Sequence, residues 1–326
     1  MFILKPIRFL RHKLTRSQKQ LLSTFSGLFV LCVVFTILSP FFFTVHNLLT
    51  VATQTAIIAI IAIGQTYVLI TGGIDLSIGS NMALSAVVTG SLLRFFGDPS
   101  LPLVWLAMLA GLATGATAGA INGTLIAFGK IPPFIATLGT MTVARGIAFI
   151  LTGGLPISGL PTRFTVLGTG STLGIPNPVI AMLVLVCLFG FILAKTKLGR
   201  HIYSVGSNFE AARLSGVNTK RVIITVYVFS GMLAAAGGLV LSGRIISAHP
   251  AAGDGSELDA VAASVIGGAS PMGGEGSIAG TFIGALIIGV LRNGLNLVGV
   301  SPFFQMVVIG IVIVGSVFFD RIKRKD

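Results

Sequence analysis

Residues 197–221 read KLGRHIYSVGSNFEAARLSGVNTKR, the longest polar interruption in a chain otherwise built from hydrophobic segments. Lys195, Lys197, Arg200, Arg213, Lys220 and Arg221 lie in or beside it, against one acid, Glu210. Apolar runs flank it, one beginning at Asn177 and the other at Val222. Lys and Arg are retained on the cytoplasmic side of membranes, so this composition predicts a cytoplasmic loop between two membrane spans. Inside it, Ser207 stands three residues before Glu210, the spacing of a capping box, and Gly216 is placed to end the helix. The pattern predicts a helix from Phe209 to Ser215 that offers Phe209, Ala212 and Leu214 to a neighbour. A helix this short is marginal alone in water and needs a partner surface. A solvated connector is the simpler alternative for a charged loop.

Composition extends the membrane reading to the whole chain. Hydrophobic residues make up 54% of 326 positions and charged residues 10%, where a soluble domain carries about 25% charge. Charge is costly in hydrocarbon, so the expected fold is an all-α polytopic membrane protein. A span needs about 20 apolar residues. The expected spans run over 21–40, 50–71, a third ending at Phe96, 101–128, 134–152, 177–195, 222–243, 257–270, 277–296 and 302–319. About ten transmembrane helices result; eight is the alternative, because 257–270 is short and suits a broken or tilted helix.

Charge distribution favours ten. Of the 22 basic residues, six fall in 1–20, six in 195–221 and four in 321–325. Ten crossings put all three patches, and both termini, in the cytoplasm against the anionic leaflet. The domain reading is a basic segment at 1–20, a transmembrane domain at 21–320 containing the loop at 194–221, and a basic tail at 321–326. A net charge of +13 could also suggest nucleic acid, but interleaved aromatics and a soluble fold are lacking. Cys32 and Cys187 both lie in apolar runs and read as small hydrophobes.

Several polar features fall within or beside the spans. GGIDLSIGS at 72–80 is too polar and glycine-rich for lipid, so it must be buried in protein or line a wet cavity. Its Asp75 and Ser77 can cap free backbone donors where the third span begins, or meet a substrate. Gly111, Gly115, Gly119 and Gly123 repeat every four residues and form one helix face that another backbone can approach closely. Arg145 lies inside an apolar run and requires a partner or water. Gln65, Thr66, Asn81, Asn122, Asn293, Asn296 and Gln305 supply neutral hydrogen-bonding groups, suited either to a passing polyhydroxylated solute or to helix–helix bonding. Of these, Gln65, Asp75, Asn81, Arg145, Asn293 and Gln305 are the candidate substrate-path residues.

The halves echo each other. NGTLIAFGKIPPF at 122–134 resembles NGLNLVGVSPFF at 293–304, and Ile74-Asp75-Leu76 resembles Leu258-Asp259-Ala260. Five spans in each half would make a 5+5 inverted repeat, with the pathway near its interface. Chance matching among glycine- and leucine-rich helices is the competing explanation.

Enzyme chemistry is missing. No G-x-x-x-x-G-K-[ST] occurs, since Gly129-Lys130 is followed by Ile131 and position 124 is Thr124. Neither a metal-spaced His/Cys cluster nor a G-x-S-x-G elbow is present, and His12, His46, His201 and His249 sit at loop or terminal positions.

Glu210-Ala211-Ala212 followed by Gly216 is similar to the EAA---G pattern of ABC importer permeases. From about Leu38 to Phe319 the chain resembles the ribose-type monosaccharide permease family. GGIDLSIGS, AARLSGVN at 211–218, ELDAVAASVIGGAS at 257–270 and NGLNLVGVSPFFQM at 293–306 occur in the family's order. The resemblance implies a permease subunit in a bacterial cytoplasmic (inner) membrane, moving a monosaccharide with ribose favoured. It implies a cytoplasmic ABC ATPase, a periplasmic sugar-binding protein and a second permease copy or paralogue as partners, and no cofactor on this chain, with ATP-Mg on the ATPase. Ser207, Phe209, Glu210, Ala211, Ala212, Arg213, Leu214 and Gly216 become the ATPase-docking residues. Other pentoses, hexoses and autoinducer-2 are alternatives within the family. Outside it, a stand-alone secondary transporter or channel would make no use of a docking loop, and a membrane scaffold for other subunits would show assembly without flux.

Overall fold

A computed structural model describes residues 16–323. The basic lead-in at 1–15 and the last residues of the tail, 324–326, lie outside the described residues. Among those described, seven helices are long and apolar enough to cross a membrane. They belong to α1 (Arg16–Leu38), α2 (Val45–Ile70), α4 (Leu101–Ala127), α5 (Pro133–Thr152), α7 (Asn177–Lys195), α10 (Thr219–Ile245) and α12 (Ile278–Leu297). Between and after them lie α3 (Ile78–Phe96), α6 (Thr162–Thr169), α8 (Lys197–Ser207), α9 (Phe209–Leu214), α11 (Ser256–Ile266) and α13 (Pro302–Lys323). Two short antiparallel pairs join connectors: β1 (Ile157–Ser158) with β4 (Ser247–Ala248), and β2 (Ser171–Thr172) with β3 (Ile175–Pro176).

The bundle is built around α2. Every residue from Thr55 to Ile70 is buried, as expected of a helix that is hydrophobic on all sides. Against it pack α10, α12, α11 and α7. Backbones approach closely where glycine permits: a Cβ on Gly64 would stand 2.8 Å from the Ser230 Cα. The four-spaced glycines of α4 face its neighbours in the same way. A Cβ on Gly115 would collide with the Gly231 carbonyl, on Gly119 with the Tyr227 carbonyl, and on Gly111 with the Thr89 hydroxyl. One on Gly123 would lie 2.6 Å from the Ile224 Cα. All four therefore meet α10, Gly111 through the Leu239 side chain, and α10 is the helix that α4 packs against most extensively.

Connector contacts sort to two ends of the bundle. At one end, Gly274 N donates to the Ile70 carbonyl at 2.8 Å, Tyr203 Oη donates to the Gly276 carbonyl at 2.7 Å, and Lys220 Nζ sits 4.5 Å from the Phe128 ring centre. At the other, Arg163 donates to the Pro99 carbonyl at 2.7 Å, Arg145 donates to the Pro250 carbonyl at 2.8 Å, and β1 pairs with β4.

Three local expectations change. The polar loop holds a second helix, α8, started by Thr196, whose hydroxyl accepts from Gly199 N at 3.3 Å. Its Ile202 and Val205 are buried, so an apolar stripe was present beneath a polar composition. α11 ends at Ile266, short of 270, because the following segment contains Gly267, Gly268, Gly273, Gly274 and Gly276 and forms a loop. The connector from Gly153 to Pro176 is partly ordered into α6 and the β2–β3 pair.

Candidate functional site

α9 closes the polar loop and is short enough for its caps to matter. The cap is not the expected Ser207–Glu210 box: Asn208 Oδ1 accepts from Ala211 N at 2.9 Å. Ser207 instead ends α8, because α8 uses the position that the box would need. The helix stops at Leu214, one residue before the expected Ser215, and Gly216 follows in the left-handed region at φ 81°. Ala212 is buried, whereas Phe209, Glu210, Arg213 and Leu214 are exposed, Leu214 at 78%. Arg213 Nη2 meets Glu210 Oε2 at 2.8 Å across one turn. An exposed pair like this contributes little to stability, so its side chains are free to serve an outside surface. Asn218 then caps α10, accepting from Arg221 N at 3.1 Å.

Below this module the GGIDLSIGS segment connects α2 to α3. Gly72 adopts φ 77°, which lets the chain turn sharply after α2. Asp75 is 0% exposed. Its Oδ1 accepts from Ser77 N at 2.9 Å and from Ser77 Oγ at 2.6 Å, and its Oδ2 accepts from Ser230 Oγ at 2.7 Å. Ser77 Oγ in turn accepts from Asn81 Nδ2 at 3.1 Å and Asn122 Nδ2 at 2.9 Å. Tyr227 Oη donates to the Ile74 carbonyl at 3.2 Å. The carboxylate therefore holds a turn and ties it to α10 and α4. The capping expectation needs correction here: Ser77 occupies the N-cap position without a side-chain cap bond, and Asp75 takes a donor just before the helix.

The other expected path residues do not converge. Asn81 joins the Asp75 network. Gln65 is fully buried in α2, and among the described residues neither of its amide atoms has a hydrogen-bond partner. Asn293 exchanges amide bonds with Asn47 at 2.8 and 3.0 Å, and Gln305 donates to Asn296 Oδ1 at 2.7 Å across the α12–α13 turn. Arg145 donates to the Pro250 and Ala252 carbonyls, both at 2.8 Å, and so anchors the connector between α10 and α11.

Sequence reasoning also missed groups. Arg292 Nη2 reaches both oxygens of Asp259, at 2.7 and 2.8 Å, pairing α12 with the first turn of α11. An arginine within an apolar run was a sufficient signal, as it was for Arg145. Ser230 and Tyr227 gave none, because each looks like an ordinary small or aromatic residue of a span.

Residues 47–317 match the family described as branched-chain amino acid transport system / permease component. The chain belongs to this permease family. The permease is 47% identical over 306 residues to the ribose import permease protein RbsC of Bacillus subtilis (strain 168), covering 93% of this chain and 94% of that one. It is 43% identical over 305 residues to the protein of the same name from Escherichia coli (strain K12), covering 91% and 92%. It is 38% identical over 303 residues to the D-allose transport system permease protein AlsC of Escherichia coli (strain K12), covering 93% and 92%. No solved structure matches. The permease is thus a multi-pass membrane protein and a transport subunit.

Proposed function

We propose that this permease is the membrane-spanning subunit of an ABC importer that moves a monosaccharide, ribose first, across a bacterial inner membrane. The observation that carries the reading is α9, seated by Ala212 on the bundle end while Phe209, Glu210, Arg213 and Leu214 face outward. A separate cytoplasmic ATPase binds that face and holds the ATP-Mg, and this chain needs no cofactor. A sugar-binding protein delivers substrate at the opposite end, and a second permease copy completes the path. The ribose import permeases among its relatives favour ribose over allose or fructose.

Ten crossings follow if α3 and α13 traverse the bilayer beside the seven long apolar helices and α11, too short alone, crosses together with the loop at 267–277. The two-ended sorting of connector contacts supports this count, and in this reading the docking module and both termini face the cytoplasm. A 5+5 inverted repeat is supported by packing in kind: α10 against α4 is answered by α2 against α12, and α10 against α3 by α2 against α11. Of the neutral amides among the expected path residues, Gln65, buried in α2 without a hydrogen-bond partner among the described residues, is the one left to bind a sugar hydroxyl.

The test is a pull-down of the tagged permease from native membranes, with mass spectrometry of its partners. An ABC ATPase is expected, and it should be lost on Glu210→Lys and Arg213→Glu while membrane insertion continues. Recovery of the permease alone, able to move ribose in liposomes without ATP, would overturn the importer reading in favour of a secondary carrier.

A further inference from the structure

α8 is the element that the docking residues do not explain. It leads into α9 through Asn208 alone, and its inner face rests on two segments far apart in sequence. One is the end of α2: a Cβ on Gly206 would collide with the Ile70 carbonyl. The other is the loop Ser270–Gly276. A Cβ on Gly273 would come 2.7 Å from the Gly206 carbonyl oxygen, and one on Gly274 would come 3.2 Å from the Ser207 Cα. The two segments are bonded to each other, since Gly274 N donates to the Ile70 carbonyl at 2.8 Å.

Tyr203 completes the contact. Its hydroxyl donates to the Gly276 carbonyl at 2.7 Å, one residue before Ser277, whose hydroxyl caps α12 by accepting from Gly280 N at 3.1 Å. Burial pushes the Tyr203 hydroxyl pKa up, so it remains a donor at physiological pH. The end of α2 is followed by a non-helical segment with two glycines at 71–77, and the loop lies within a glycine-rich non-helical segment at 267–277. Each leads directly into a helix, α3 or α12. A close-packed contact transmits displacement, and non-helical segments absorb the backbone rotation that follows.

We propose that Tyr203 and Gly206 are positioning residues of the transport cycle, joining α8 to the α2 terminus and the Ser270–Gly276 loop so that movement of α9 reaches both. The proposal rests on the docking reading above. It adds that the force leaves the docking helix backwards along the chain, through α8, and enters both halves of the bundle at one joint.

The experiment uses the permease with its ATPase and sugar-binding protein in proteoliposomes. Three quantities are read for Tyr203→Phe and Gly206→Ala: ATPase recovered, ATP hydrolysed, and ribose moved per ATP. Ser204→Ala is the control, because Ser204 is exposed and its hydroxyl bonds only within α8, to the Arg200 carbonyl. The expected result is unchanged ATPase recovery with transport per ATP reduced about fivefold in Tyr203→Phe, the effect of one lost hydrogen bond. A larger loss is expected in Gly206→Ala, where α8 must lift from α2. General destabilisation would lower the amount of complex and both rates together, leaving their ratio unchanged. An unchanged ratio in both variants, with the ATPase still bound, overturns the joint alone. Loss of ATPase binding in both would make α8 part of the docking surface and equally overturn it. If even the unaltered permease binds no ATPase, the docking reading fails, and the joint fails with it.

Discussion

Asp75 offers the sharpest test of how the α2–α3 turn is held, through replacement of Ser230 and Asp75 by alanine, singly and together. Ser230→Ala removes one bond to the carboxylate, the 2.7 Å contact from α10. Hydrogen bonds to charged groups contribute about 1.5–3 kcal/mol, so the single loss costs about 2 kcal/mol. Asp75→Ala leaves three donor bonds without their acceptor: those from Ser77 N, Ser77 Oγ and Ser230 Oγ. The hydroxyls can rotate, so the cost is about 4 kcal/mol and not the full sum. That is a large share of a typical stability of about 5–15 kcal/mol. At about 2 °C per kcal/mol, the expected falls in unfolding midpoint are about 4 °C and about 8 °C. In Asp75→Ala the Ser230 hydroxyl has already lost its partner, so the double variant should fall within about 1 °C of Asp75→Ala. The assay is thermal unfolding of purified permease in detergent, with all variants compared at one scan rate because unfolding can be irreversible. Additive effects, near 12 °C in the double variant by the same scale, would refute the coupling between the turn and α10.

Further outcomes follow from other contacts. Arg292→Met strands the buried Asp259 carboxylate and should cost about 3 kcal/mol, at the low end for a broken buried pair because the arginine is partly exposed. Adding Asp259→Leu should restore membrane accumulation to at least about half of normal, since a buried pair can be replaced by apolar groups. Gly119→Val should prevent accumulation by forcing α4 from α10, whereas Gly139→Ala, with nothing within 4 Å, should match or slightly exceed the parent; immunoblots of membranes read both. Asn208→Ala should cost α9 about 1 kcal/mol, seen as about fivefold faster hydrogen exchange at the Ala211 amide. Ser207→Ala should leave that amide unchanged, and equal acceleration in both would restore Ser207 as the cap.

Much of the architecture could be read from composition and spacing, because lipid enforces a coarse code. A bilayer requires long apolar helices with their backbone bonded internally, so the expected spans agree with α2, α4, α5, α7, α10 and α12 to within a few residues. The four-spaced glycines were legible for a related reason: a helix repeats its face every four residues, and only glycine allows backbones to meet there. Two helices below the length of a span, α6 and α8, escaped, whereas α9 and α11 were expected. α8 carries many polar residues, and its average conceals the stripe formed by Ile202 and Val205. The cap of α9 shifted by one residue because Ser207 and Asn208 are both good caps, and only the extent of α8 chooses between them.

The amino-acid order by itself determined a polytopic helical protein with a basic loop between two spans, since hydropathy, charge and glycine period are properties of the chain. Tertiary structure decided which polar groups share a site. Asp75 and Ser230 are 155 positions apart, and nothing local to either records the other. The expected path residues were chosen for chemistry alone, and folding distributed them between the Asp75 turn, the core of α2 and the far end. Hydrogen bonds act over about 3 Å, so partnership is settled only when helices distant in sequence pack side by side.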